Sequence, residues 1–518
     1  MAAVVHGRNS VALATSPLPR KLRVGLFAAS AMQPRWLVEA FAKVAAAEFA
    51  EIVVIETFSQ PQVAAPRSWL WNIYGSLDRR LFGRDADPQA LLDLARYIPH
   101  HGVKRPLLEL DLDVAFALDG IDDTRLDGIA RYGVWRFSVD GTSEVVAGEP
   151  LTRSAVLARL APGAEPRLVY QSWSRTYPLS VARNREALLA KTAEFAWRAL
   201  REAHRSGHGW LEQCKVLAAG AAQPAASPAP ILRRIAARSV QKALHVEQWF
   251  LAFRWNGEGK VSGDLDGFVR LMPRKDRYWA DPFPIEKDGR HYVFFEELPF
   301  RSRKAHIAMS EVRRDGTWSP PVTVLERDYH LSYPFLVEHD GRLYMIPETA
   351  QNRTVEAYRC VDFPLRWRLE KVLLEGVRLV DATFHRGPDR WWMFANGAAG
   401  PSRSYDDELH LFHAERLLGE WRPHARNPVK SDARCARPAG RLQWRNGALY
   451  RPAQICTPLY GAGLSLNRVL RLTPHDYAER QVERVLPAQA EGILGLHTLN
   501  RAGDLVVVDA FTRRRRFA

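Results

Sequence analysis

The chain has 518 residues, 47% of them hydrophobic and 25% charged, with a formal net charge of +15. That length exceeds what one ordinary core serves and predicts at least two domains. No apolar run approaches the roughly 18 residues of a membrane-crossing helix, and four cysteines (Cys214, Cys360, Cys435, Cys456) form no CxxC pair, which argues against a zinc ribbon or disulfide framework.

In chain order, residues 1–20 lack the continuous apolar core of a secretory signal and are expected to be a disordered lead. Residues 21–205 alternate strand and helix patterns. KLRVGLFAAS (21–30) reads as a strand leading into a loop, EAFAKVAAAEFA (39–50) as a helix, and EIVVIETF (51–58) as a buried parallel-type strand. This β-α-β order predicts a parallel sheet of the Rossmann-like α/β class. LDVAFALDG (112–120) and RYGVWRFSVDG (131–141) read as further strands, and 183–204 as one long amphipathic helix. The Ala/Pro/Gly/Ser stretch within 206–230 has linker composition.

ILRRIAARSVQKALHV (231–246) predicts a basic amphipathic helix, with Arg233, Arg234, Arg238 and Lys242 beside Ile231, Ile235 and Leu244. A basic tail, 513–518, ends the chain. Both are expected to be solvated, or to touch an anionic membrane peripherally. The other basic residues are dispersed and lack interleaved aromatic stretches, so no nucleic acid is expected.

Residues 247–512 consist of short aromatic and β-branched runs separated by DG, NG and GD turns, the pattern of all-β structure. A repeat of about 50 residues runs through them. DPFPIEKDGRHYVFFEE from Asp281, YPFLVEHDGRLYMIPET from Tyr333 and DATFHRGPDRWWMFAN from Asp381 align without gaps. RPAGRLQWRNGALYRPAQ from Arg437 needs a two-residue insertion, and LHTLNRAGDLVVVDA from Leu496 is a weaker copy. Trp318, Trp367 and Trp421 recur in phase between copies and mark outer strands. Five copies of a four-stranded unit predict a five-bladed β-propeller.

The inner strands of a propeller converge on one axis, so Asp281, Tyr333, Asp381, Arg437 and His497 are expected around a common mouth. Paired carboxylates across a polar cavity suit glycosidic chemistry. Glu296 and Glu348, 15 residues into their copies, are candidate acids or partners of Arg290 and Arg342. The expected catalytic set is Asp281, Asp381, Glu296 and Glu348; Tyr333, Arg437, Trp279, His330 and His497 are expected to bind substrate. No metal or cofactor is assigned, although His330 and His497 are candidates for a channel cation.

The WADPF…DG..Y pattern resembles the five-bladed furanosidase superfamily of arabinanases and β-xylosidases. That resemblance implies a general base at Asp281 and an acid-orienting role at Asp381. The family's fourth-blade general-acid Glu falls within CARPAGR, at Ala436 or Arg437, so the resemblance does not carry ordinary hydrolysis. QWFLAFR, YWADPF, HLSYPF, IPET and RCARPAGR resemble more closely the propeller of glucosamine inositolphosphorylceramide transferases and bacterial relatives. This implies a carbohydrate-active protein of bacterial cell-envelope polysaccharide or glycolipid synthesis, taking a glycan, nucleotide-sugar or glycolipid. The setting is expected to be cytoplasmic, with peripheral association at the inner membrane as an alternative. Alternatives are a furanosidase-type hydrolase and a non-catalytic glycan-binding module. The first half resembles a formyltransferase-like domain, yet Arg136 and Ser138 stand where that family has Asn and His, so formyl transfer is not expected.

Overall fold

The computed structural model describes residues 20–58, 69–83, 87–100, 106–118, 121–217, 227–255, 261–397 and 404–516. The expected disordered lead, apart from Arg20, and the centre of the expected linker, 218–226, lie outside the described residues.

The first domain is built on a six-stranded sheet. Strand β1 (Leu22–Ala28) is followed by helix α1 (Arg35–Ala45) and strand β2 (Ala50–Thr57). Strands β3 (Val114–Ala117), β4 (Val134–Ser138), β5 (Leu151–Arg159) and β6 (Arg167–Arg175) complete the order β2-β1-β3-β4-β5-β6. The first four are mutually parallel and the last two antiparallel. β1 and β3 are almost wholly buried, as central parallel strands covered on both faces must be. α1 repeats apolar residues at helical spacing, and Phe41 packs edge-on against Phe116 of β3.

The expected single helix over 183–204 is two helices, α3 (Val181–Thr192) and α4 (Phe195–Ser206). Thr192 bonds back to the Leu188 carbonyl, and the break at Ala193–Glu194 lets Lys191 and Arg198 both reach the second domain. The linker is shorter than expected. Helix α5 (His208–Gln213) occupies its start, and the amide of Leu168 bonds the Lys215 carbonyl, which ties this segment to β6.

The second domain is a ring of five blades, each of four strands except blade 3, where Lys430–Ser431 adds a short fifth strand. Blade 1 spans Arg277–Leu325, blade 2 Ser332–Glu375 and blade 3 Leu379–Pro423. Blade 4 spans Gln443–Val485. Blade 5 joins both ends of the domain: Ile493–Ala502 and Leu505–Arg515 are completed by His245–Arg254 and Val269–Leu271. Aromatic layers fill the gaps between blades, with Phe283, Tyr333, Phe335 and Phe384 in one continuous core. Trp367 starts the outer strand of blade 2, and Trp318 forms a bridge to Val312.

The basic tail departs from expectation. Arg513, Arg514 and Arg515 belong to the blade-5 strand and face Glu247, Val246 and His245 in the ladder that closes the ring. Helix α6 (Ala229–Leu244) precedes that ladder.

The two domains meet along a buried seam. Lys191 pairs with Asp407 at 2.7 Å and Arg198 with Glu408 at 2.5 Å. The Ala433 amide donates to the Trp173 carbonyl at 2.9 Å, and the Thr457 hydroxyl to the Pro150 carbonyl at 2.7 Å.

Candidate functional site

The inner strands of blades 1 to 3 share one irregularity. Ala280 faces Glu296, Ser332 faces Glu348 and Val380 faces Asn396; the register then slips by one residue in each blade. The first residue after that pair has positive φ: 52° at Asp281, 44° at Tyr333 and 53° at Asp381. A bulge of this kind re-aims a side chain. Asp tolerates the left-handed region, whereas a bulky Tyr there is strained. Tyr333 is held by its hydroxyl, which accepts from the Gly440 amide at 2.6 Å and meets the Thr383 hydroxyl at 2.7 Å.

Blade 5 slips at the equivalent place, between Leu496 and Leu499, and there His497 and Thr498 turn inward. Their amides donate to Asp509 at 3.1 and 2.8 Å. The other Asp509 oxygen accepts the Asp281 amide at 2.8 Å and lies 2.6 Å from His497 Nδ1. His497 Nε2 is 3.7 Å from Asp281, whose carboxylate also accepts from the Thr498 hydroxyl at 2.8 Å. The imidazole stacks on Trp249 with ring centres 4.0 Å apart. Burial alone would lower the pKa of His497; Asp509 and Asp281 outweigh it and push it up to about 9, so the ring is cationic at neutral pH. Burial, with Asp381 and Glu296 nearby, raises the Asp281 carboxyl well above its usual range, against the pull of His497.

Blade 4 lacks the regular inner strand at this level. A single bridge at Pro438–Ala453 replaces it, and Arg437 reaches across to Asp381, with Nε at 2.6 Å and Nη2 at 3.4 Å. The Gln454 amide donates to the same carboxylate at 2.8 Å. Arg437 also lies over the Tyr460 ring and 3.4 Å from Asp406, which pairs at 2.9 Å with Arg175 of the first domain. Glu348 is hydrogen-bonded to Asp381; burial and that neighbour push its carboxyl up to about 8, against Arg437 and His330. Glu296 accepts from the Tyr278 hydroxyl at 2.9 Å and lies 3.2 Å from His330. Burial opposes protonation of His330, but Glu296 wins and raises it to about 8.

The structure thus brings Asp281, Glu296, Glu348, Asp381, Tyr333, His330, Arg437 and His497 into one cluster. Asp281, Asp381, Glu296 and His497 form its buried floor, while Tyr278, His330, Glu348, Arg437 and Tyr460 keep partial exposure at its lip. Arg290 pairs with Glu311, not with Glu296. Trp279 stays outside the cluster: it precedes the bulge, which inverts the strand's alternation, so it packs on Phe295 and Trp318 and donates to Glu297 at 2.6 Å. Ligand atoms of Asp281, His497 and Asp509 lie within 4.8 Å of one another. They are committed to each other and to Thr498, and we assign no metal.

Sequence reasoning missed Asp509, Tyr460, Tyr278, Gln454, Asp406 and Arg175. Asp509 carried a signal, a lone acid inside the apolar run LVVVDAF. Arg175 carried none, because domain docking brings it to the mouth.

A five-bladed propeller with a mouth of buried, mutually opposed carboxyls is the class that fold and site define. Residues 271–499 match the family model described as Glucosamine inositolphosphorylceramide transferase 1, N-terminal. Among curated proteins, the chain is 32% identical over 218 residues to Glucosamine inositolphosphorylceramide transferase 1 of Arabidopsis thaliana, a match covering 42% of this chain and 28% of that protein. It is 34% identical over 203 residues to the protein of the same name from Oryza sativa subsp. japonica, covering 39% and 27%. The matched region is therefore little more than a quarter of those relatives' length. Among solved structures, a family 117 glycoside hydrolase from Zobellia galactanivorans aligns with TM-score 0.34 and 12% identity, over 52% of this chain and 90% of that one. An exo-1,5-α-L-arabinanase from a bovine ruminal metagenomic library aligns with TM-score 0.33 and 12% identity, over 48% and 96%.

Proposed function

We propose that this chain is a carbohydrate-active protein whose propeller mouth receives a sugar, and that it serves glycosyl transfer in glycan or glycolipid assembly. The observation that carries this reading is the placing of two carboxyls of raised proton affinity at different levels of the mouth, Glu348 at the lip against Asp381 and Asp281 on the floor beside His497. Glu348, at the lip, keeps its proton at neutral pH because it shares a desolvated site with Asp381, which Arg437 grips. A carboxyl tuned upward in a partly open recess is a general acid in waiting. In this scheme Glu348 gives its proton to the departing oxygen of the donor sugar, and Asp281, raised in proton affinity, takes the proton of the attacking hydroxyl. The half-buried rings of Tyr278 and Tyr460 supply apolar faces for a sugar ring. The names of the curated relatives, glucosamine inositolphosphorylceramide transferases, support a glycolipid or nucleotide-sugar as the substrate class.

The test is sugar transfer from a panel of nucleotide-sugars to inositol-phospholipid acceptors, with release from aryl furanosides run alongside. Asp281→Asn and Glu348→Gln are each expected to lower turnover by about two to four orders of magnitude with the fold intact. Turnover unaffected by both would sink the scheme, and free sugar without transfer would mark a hydrolase. A second reading, a non-catalytic glycan-binding module, is favoured by one observation: the mouth carboxylates already have internal partners. It expects sugar binding by calorimetry with no turnover in the unaltered protein.

For the first domain, we infer formyltransferase-like descent without formyl transfer. A cavity of about 310 Å³ opens at the carboxyl ends of β3 and β4, where open α/β sheets hold ligands, lined by Leu118, Asp122, Asp123, Arg136 and Phe137. Arg136 supplies a guanidinium there and no imidazole.

A further inference from the structure

Helix α2 (Trp69–Phe82) carries an apolar stripe that nothing in the described residues covers. Trp69, Leu70, Ile73, Leu77 and Leu81 recur at helical spacing and are between 44% and 71% exposed. They cannot turn inward, because the core-facing side is already anchored to the start of α3. There the Tyr74 hydroxyl accepts from the Val181 amide at 3.3 Å, and Asp78 accepts from the Ala182 amide at 2.8 Å. The only acid of α2 is that buried Asp78; its exposed charges are Arg79 and Arg80.

Helix α6 repeats the design beside it. Ile231 shares a small core with Tyr74 of α2 and Val145, while Leu232, Val240 and Leu244 are exposed by half or more. Arg233 and Lys242 are exposed on the same helix, and α6 contains no acidic residue. The end of the chain adds to it, as the Arg516 amide bonds the Leu244 carbonyl at 2.9 Å and its guanidinium the Lys242 carbonyl at 3.2 Å. Two helices that meet in one small core, each with an exposed apolar stripe and only positive exposed charges, complement one occupant, a bilayer surface with anionic headgroups.

We propose that α2 and α6 together dock this protein onto an anionic lipid bilayer, their apolar stripes entering the acyl boundary and their basic residues meeting the headgroups. The sequence of the basic helix alone suggests membrane contact; α2 adds a second exposed stripe, with five large apolar residues against three. The proposal stands apart from the chemistry at the propeller mouth, so neither falls with the other.

The test is co-sedimentation of the full chain with phosphatidylcholine vesicles, with and without phosphatidylglycerol. Binding is expected to the anionic vesicles and to weaken with salt. Leu77→Glu combined with Leu81→Glu should reduce it by about tenfold or more. Arg233→Glu combined with Lys242→Glu should reduce it by roughly tenfold to a hundredfold. All four positions are exposed, so the fold should be retained; Val240→Glu carries the same expectation should the leucine pair prove insoluble. The proposal is overturned if the unaltered protein ignores anionic vesicles, if it binds neutral ones equally, or if the leucine variants bind undiminished. A dimer that the leucine substitutions dissolve would also overturn it, by making a second copy the occupant.

Discussion

Buried charge clusters in this molecule behave in two opposite ways. Along the seam between domains, Glu408 receives Arg198 in a two-point grip at 2.5 and 3.2 Å. Inside blade 4, Glu479 receives both Arg451 and Lys430. Burial would raise each carboxyl, yet these cations outweigh it and hold both near pKa 2. At the mouth, carboxyls face one another instead: Asp281 is raised and Glu348 climbs to about 8. Asp407 is the seam's exception, raised by burial despite Lys191 at 2.7 Å. The lesson is one of ratio. Where each acid has its own cation, burial makes a structural tie; where acids share cations, the site retains proton affinity that folding alone does not call for, which agrees with the role proposed for the mouth.

The largest expected effect breaks a tie in the seam. Arg198→Ala leaves Glu408 buried at 3% side-chain exposure without its cation, which should destabilise the protein by about 3–5 kcal/mol in urea unfolding. A loss below about 1 kcal/mol would mean the seam is hydrated and the contrast with the mouth is false.

Next is a test of the mouth's backbone. Gly440 sits at φ +117°, and a Cβ there would lie 2.2 Å from the Leu499 carbonyl oxygen, beside the amide that holds Tyr333. Gly440→Ala should cost about 3 kcal/mol and displace the Tyr333 hydroxyl. Gly289→Ala, at φ +72° in an open turn with nothing within 4 Å, should cost only about 1 kcal/mol. Equal losses would show that blade 4 is no tighter than a surface turn.

Much of this architecture was legible beforehand because a propeller repeats local chemistry. The DG turns and the inner-strand positions at 281, 333 and 381 fall in phase, and the register pairs Ala280–Glu296 and Ser332–Glu348 explain why the second-strand acids share the mouth. Trp279 was misplaced because one bulged residue inverts strand alternation, and a period-two reading does not see bulges. The run Arg513–Arg515 looked like a solvated tail, since its ladder partners lie at the opposite end of the domain. Arg175 and Asp406 meet only when two domains dock, which no local pattern encodes.

The smallest expected effect concerns proton linkage, and it sharpens the comparison most directly. Glu348 binds its proton more tightly folded than unfolded, up to about 8 against an ordinary 4.5. The stability it contributes is therefore complete below pH 4.5 and lost as pH rises through 8. His497, raised from 6.5 to about 9, acts in the same direction over its own window. Glu408, depressed to about 2, acts oppositely: its contribution is present above pH 4.5 and lost as pH falls through 2. Glu348→Gln removes the first slope alone. Allowing for the solvent that reaches Glu348 at the lip, the variant should be more stable than the unaltered protein by about 2 kcal/mol at pH 8 and indistinguishable from it near pH 4.5. Urea midpoints across that range decide the matter: an unaltered protein that gains stability from pH 5 to 8 would place Glu348 among the compensated acids and erase the difference between mouth and seam.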